Sequence, residues 1–149
     1  SLNYYRFEQN VIFPTLPETN YNLENVFPEV IFKYITECFN YFTNPAVYNL
    51  MRLLIAELNQ FPMLFELHYS DKSTHLTSNL SEYLTKYFIQ TNPNKVNSSF
   101  IIASNIIDLI SGKSLWVKLM PGARREIFLN DPIQTIREIH NAAMQLILN

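Results

Sequence analysis

The chain reads as an all-α protein, on three observations. Its 149 residues hold only two glycines, Gly112 and Gly122, and no Asn-Gly type turn, so tight hairpins have no natural corner. Apolar residues recur at three- and four-residue steps over long stretches. Two helix starts are written out as a capping residue followed by proline, Asn44-Pro45 and Asp131-Pro132.

Residues 3–13, NYYRFEQNVIF, set Tyr4, Phe7 and Val11 on one side of a short helix that Pro14 and Pro17 stop. The next helix starts near Asn25, which puts Pro28 in its first turn, where a missing N–H costs nothing. Its stripe of Phe27, Val30, Ile31, Tyr34, Ile35, Cys38, Phe39 and Phe42 is wide enough to need cover on more than one side. From Asn44-Pro45, Val47, Leu50, Met51, Leu54, Ile55 and Leu58 carry a helix to Phe61. Pro62 cannot continue it, so a new helix begins at the corner and extends over 62–91, with the poorly helical YSDKST as a candidate kink. QTNPNKVN reads as a loop. A helix over 100–120 follows, carried through Gly112, then a Pro121-Gly122 turn and a last helix over 132–148. Asp131 and Gln134 match a capping box at its start. On that helix Ile139, Ala142 and Leu146 sit away from the Ile136, Ala143, Ile147 stripe, and two apolar faces need two coverings.

Hydrophobic residues are 48% of the chain and charged residues 16%, which suits one globular domain. The net charge of −2 favours neither nucleic acid nor an anionic membrane as a direct partner. No stretch has the length and apolarity of a membrane span. The single cysteine, Cys38, excludes an intrachain disulfide and reads as a small buried hydrophobe, which fits a reducing, cytoplasmic setting.

Catalytic and metal motifs are weak. His68, Asp71 and His75 stand at i, i+3 and i+7, but ligands two helical turns apart lie roughly 10 Å apart along the axis, too far to close one tetrahedral site. A solvated polar face is the plainer reading, and neither metal nor cofactor is expected. His140, isolated among apolar residues, reads as a satisfied core or interface histidine. No serine sits in a Gly-x-Ser-x-Gly context, and two separated glycines cannot build a phosphate loop. Lys113, Lys118, Arg124 and Arg125 make a mild basic stretch best read as solvated surface. The reading is therefore not an enzyme.

The aromatics say more. Eleven Phe, nine Tyr and one Trp include Tyr34, Phe39, Phe65, Tyr69, Tyr83 and Tyr87, which fall with Met51 on or beside the apolar stripes of successive helices. Aromatic and methionine side chains with a few hydroxyls suit an adaptable small-molecule pocket. The same residues can equally fill a core.

The segment RLLIAELNQFPMLFELHY, Arg52 to Tyr69, resembles the central part of the ligand-binding domain of TetR/AcrR-family transcriptional regulators. Arg52, Leu53, Ala56, Glu57, Phe61 and Pro62 match the pattern, while Gln60 stands where a basic residue is usual. The helix order agrees over residues 24–149. The resemblance implies a TetR-like C-terminal bundle of about six helices, with residues 1–22 as connecting helix and loop and 23–149 as the ligand-binding and dimerisation domain. It implies a homodimer through the last two helices, placed here on Ile106, Ile110, Ile139, Ala142, Ala143 and Leu146. It implies an apolar or aromatic effector held by the helices 25–43, 44–60 and 62–91. DNA would be read only by a helix-turn-helix module that this chain does not contain. The alternative from another class is a helical adaptor that uses the same apolar faces without a ligand.

Overall fold

The computed structural model describes residues 12–18, 23–60, 62–65, 71–119 and 131–149. Its helices are α1 (Leu23–Thr43), α2 (Pro45–Ala56), α3 (Pro62–Phe65), α4 (Asp71–Thr91), α5 (Ser99–Leu119) and α6 (Pro132–Leu148), with a 3-10 turn at Pro93–Ser98 between α4 and α5. No strand occurs among the described residues. The all-α expectation holds.

Helix α1 is the centre of the molecule. It packs against α2, α4, α5 and α6, and buries Phe27, Ile31, Tyr34, Ile35, Cys38, Phe39, Tyr41 and Phe42. These positions span an arc of about 160° of its circumference, as the wide stripe requires. Each such side chain contributes about 1.5–3 kcal/mol on burial. The helix begins at Leu23, two residues before the expected start, so Pro28 lies in the second turn. There it has no N–H to give the carbonyl four residues back. Its own carbonyl accepts a bond from His140 Nε2 of α6 at 3.1 Å, and the imidazole also meets Phe32 edge-on, with ring centroids 5.2 Å apart. His140 is thus a satisfied packing histidine.

Helix α2 opens as its sequence dictates. Asn44 Oδ1 accepts from the Ala46 N–H at 2.9 Å, and Pro45 takes the first helical position. It ends at Ala56 rather than Phe61. The last turns tighten, with Leu58 N–H reaching the Ile55 carbonyl at 3.3 Å and Gln60 N–H the Glu57 carbonyl at 3.0 Å. Beyond the corner, Pro62 starts the single turn α3. Helix α4 begins at Asp71 and takes Ser73 and Thr74 into its first turn, where short polar side chains cost least. The proposed kink site falls partly on 66–70, outside the described residues.

The QTNPNKVN stretch, expected as loop, folds into the 3-10 turn. It doubles the chain back so that α5 lies along α4. Lys95, in this turn, donates from Nζ to the Ile147 carbonyl at the end of α6 (2.8 Å) and stands 5.8 Å from the centre of the Phe88 ring. A cation there also complements the negative end of the α6 dipole. Helix α5 runs unbroken through Gly112, as expected. At the head of α6, Asp131 Oδ1 accepts from the Gln134 N–H at 3.1 Å, which forms the aspartate half of the capping box.

The expected helix over 3–13 lies mostly outside the described residues. Its last two positions, Ile12 and Phe13, belong to a non-helical strap over 12–18. Phe13 sets its ring edge-on to Tyr41 of α1, with centroids 5.4 Å apart, and the Thr15 N–H donates to Glu37 Oε2 of α1 at 3.1 Å.

Candidate functional site

The aromatic set singled out by sequence is largely inside the molecule. Tyr34, Phe39, Met51, Tyr83 and Tyr87 are all buried. Tyr69 and the Phe65 side chain lie outside the described residues. Tyr34 donates its hydroxyl to the Leu76 carbonyl at 3.0 Å, which ties α1 to the first turns of α4. On α4, Tyr87 and Tyr83 both stack on Phe27 of α1, with centroids 3.7 and 6.0 Å away and interplanar angles of 11° and 7°. Tyr34, Phe39, Tyr83 and Tyr87 belong to the main core cluster, so they serve the core, one of the two roles the sequence left open. Met51 differs. With Leu54 it is buried on α2, yet neither joins the main cluster. Helix α2 shelters apolar surface of its own.

Tyr34 and Cys38 form a second feature of the interior. Burial pushes the Tyr34 phenol well above its ordinary value of 10.0, with smaller contributions from Cys38 and Glu37. Burial likewise pushes the Cys38 thiol well above its ordinary value of 9.0. In the unfolded chain both groups ionise at lower pH than in the folded one, so above those values the unfolded state binds fewer protons. Stability from this pair is fully present below pH about 9 and drains away as pH rises further. Urea midpoints should be level from neutral pH to about 8.5 and fall beyond it, and Cys38→Ala should flatten the first part of that fall. A native chain with a level profile to pH about 11 would contradict the assignment.

Surface relief lies elsewhere. A half-open cleft of about 440 Å³ separates the strap from α4. Thr15, Leu16, Pro17 and Glu18 form one wall, and Asn79, Glu82, Tyr83 and Lys86 form the other. The α4 residues recur at i, i+3, i+4 and i+7 and therefore share one face. Of these eight residues only Tyr83 is buried; its hydroxyl is closed off from solvent and has no hydrogen-bond partner. Burial raises its pKa. Sequence reasoning had placed Tyr83 among the helices and missed the cleft. Nothing in periodicity announces a gap between a loop and a helix 60 residues apart.

The residues expected at a dimer interface divide by their burial within the single chain. Ile106, Ile110, Ile139 and Ala143 are all at most 1% exposed within the single chain. They belong to the core of the single chain. The reason is angular: Ile139 lies only about 60° around the helix from Ile136, and a helix wedged against both α1 and α5 buries that whole arc. Leu146 remains 39% exposed and Ala142 half-buried. On α5, Ile101, Asn105 and Asp108 are exposed at i, i+4 and i+7, and Gly112 continues their line. A Cβ added to Gly112 would meet nothing within 4 Å.

No cluster of three or more metal-ligating side chains occurs among the described residues. His68 lies outside them, so the His68, Asp71, His75 spacing is not tested. No helix among the described residues is long and apolar enough to cross a membrane.

Residues 29–90 match the family model of the AefR-like transcriptional repressor C-terminal domain. The match takes in nearly all of α1 through α4 and agrees with the TetR-type pattern of Arg52–Tyr69; it covers less than half of the chain. No curated protein and no solved structure matches the chain.

Proposed function

We infer that this protein is the effector-binding and dimerisation domain of a TetR-like transcriptional repressor. The match over residues 29–90 is the observation that carries the reading, supported by an all-helical fold in the expected order. DNA contact falls to a helix-turn-helix module of the full-length cytoplasmic regulator. This chain, with a net charge of −2, has no electrostatic case for binding DNA alone.

The effector is a small apolar or aromatic molecule, taken among α1, α2 and the α3–α4 segment. Met51 and Leu54, buried on α2, support this compartment. It acts by population shift: only a ligand that binds one arrangement of these helices better than another moves the equilibrium. Two copies associate through the outward faces of α5 and α6, along Ile101, Asp108 and Gly112 on one helix and Ala142 and Leu146 on the other. Gly112 suits this role because a mid-helix glycine costs about 1 kcal/mol relative to alanine, and no neighbour among the described residues requires it.

Sedimentation equilibrium at micromolar concentration tests the reading. Twice the chain mass of 17.5 kDa is expected, falling to one mass in Ile101→Asp. A native chain of single mass throughout sinks the dimeric regulator. It would favour the adaptor instead, to which exposed Leu53, Ile55 and Met63 already offer an apolar surface.

A further inference from the structure

We propose that the cleft between the 12–18 strap and α4 is a second ligand site, which takes a small organic cation with an apolar or aromatic body. It is separate from the effector compartment beside α2. It rests on the regulator reading only for its consequence, not for its occupancy.

Four observations carry it. The first is size: about 440 Å³ falls within the roughly 300–1,000 Å³ of small-molecule sites. The second is the Tyr83 hydroxyl. It is shut off from water without a partner, although buried polar groups in native proteins are nearly always partnered. A small shift of the side chain toward the cleft would let this phenol oxygen accept from an ammonium N–H. The third is charge. Glu18 and Glu82 line the cleft against a single cation, Lys86, and no ion pair joins Lys86 to either carboxylate among the described residues. Both carboxylates are thus open to an incoming ammonium. The fourth is the remaining lining: Leu16, Pro17 and the Tyr83 ring give an apolar body somewhere to lie.

The position gives occupancy a consequence. The strap is held on its other side by α1, through Phe13 on Tyr41 and Thr15 on Glu37. A ligand that bridges Glu18 and Glu82 ties the strap to α4.

The test is calorimetric titration of 2-phenylethylamine, a primary ammonium on a phenyl body, into the full chain at neutral pH. Saturable binding is expected. Tyr83→Phe keeps the ring that stacks on Phe27 and should weaken binding about ten-fold, as should Glu18→Gln with Glu82→Gln. Lys86→Met should tighten it. Circular dichroism of each variant confirms the fold, and Glu18 and Glu82 are exposed positions whose amides do not threaten it. Absence of saturable heat at millimolar amine overturns the proposal. So does equal binding by Tyr83→Phe and the double glutamine variant, which would put the amine elsewhere. A chain of single mass that still binds the amine in this pattern keeps the cleft and loses the dimeric regulator; a dimer that ignores the amine does the reverse.

Discussion

Ile139→Asp is expected to unfold the chain, while Leu146→Asp, two turns along the same helix, is expected to leave it folded and separate its copies. Ile139 is 1% exposed, between α6 and the rest of the core. The substitution removes a branched aliphatic side chain and inserts a carboxylate with no partner. The lost packing and the buried charge together exceed about 4–5 kcal/mol. A domain of this size has about 5–15 kcal/mol in all, so most of its stability goes. Leu146 is 39% exposed, and an aspartate there should cost under about 1 kcal/mol of chain stability. Far-UV circular dichroism and sedimentation, run side by side, separate the two effects. A helical, cooperative Ile139→Asp variant would mean that this face of α6 is not core.

Phe27→Ala should be nearly as damaging, by a different route. Phe27 is 1% exposed and stacks on both Tyr83 and Tyr87, so one ring joins the start of α1 to the second half of α4. Truncating a buried phenylalanine costs about 3–5 kcal/mol. In a chain of this length that corresponds to a fall in Tm of about 8–15 °C. Phe27→Leu keeps most of the volume but loses the stack, and should cost about 1–2 kcal/mol. A leucine variant that melts with the native chain would show that the aromatic stack contributes nothing beyond bulk.

The fold was largely legible because local chemistry and global packing agree in it. Asn44-Pro45 and Asp131-Pro132 announce helix starts, and the structure uses both. The width of the α1 stripe foretold a helix covered on several sides. What stayed hidden depends on relations between distant residues. Ile139 and Leu146 are both apolar residues on one helix, and only the placement of α1 and α5 decides that the first is interior and the second surface. Tyr34, Phe39, Tyr83 and Tyr87 carry the same composition whether they fill a core or line a cavity, and the choice depends on how closely α1 and α4 approach. The cleft beside Tyr83 requires a proline-bearing strap to pass along α4 and leave a space, and no periodicity encodes a gap.

The Lys95 clasp has a practical corollary for anyone handling this molecule. One ammonium grips the carbonyl of Ile147, two residues from the final Asn149, and sits near Phe88 at the far end of another helix. The carboxyl-terminal tail is thereby latched to the middle of the polypeptide. Leu148 and Asn149 themselves face water, so changes at these two positions leave the buckle closed, whereas trimming back past Ile147 would unhook it.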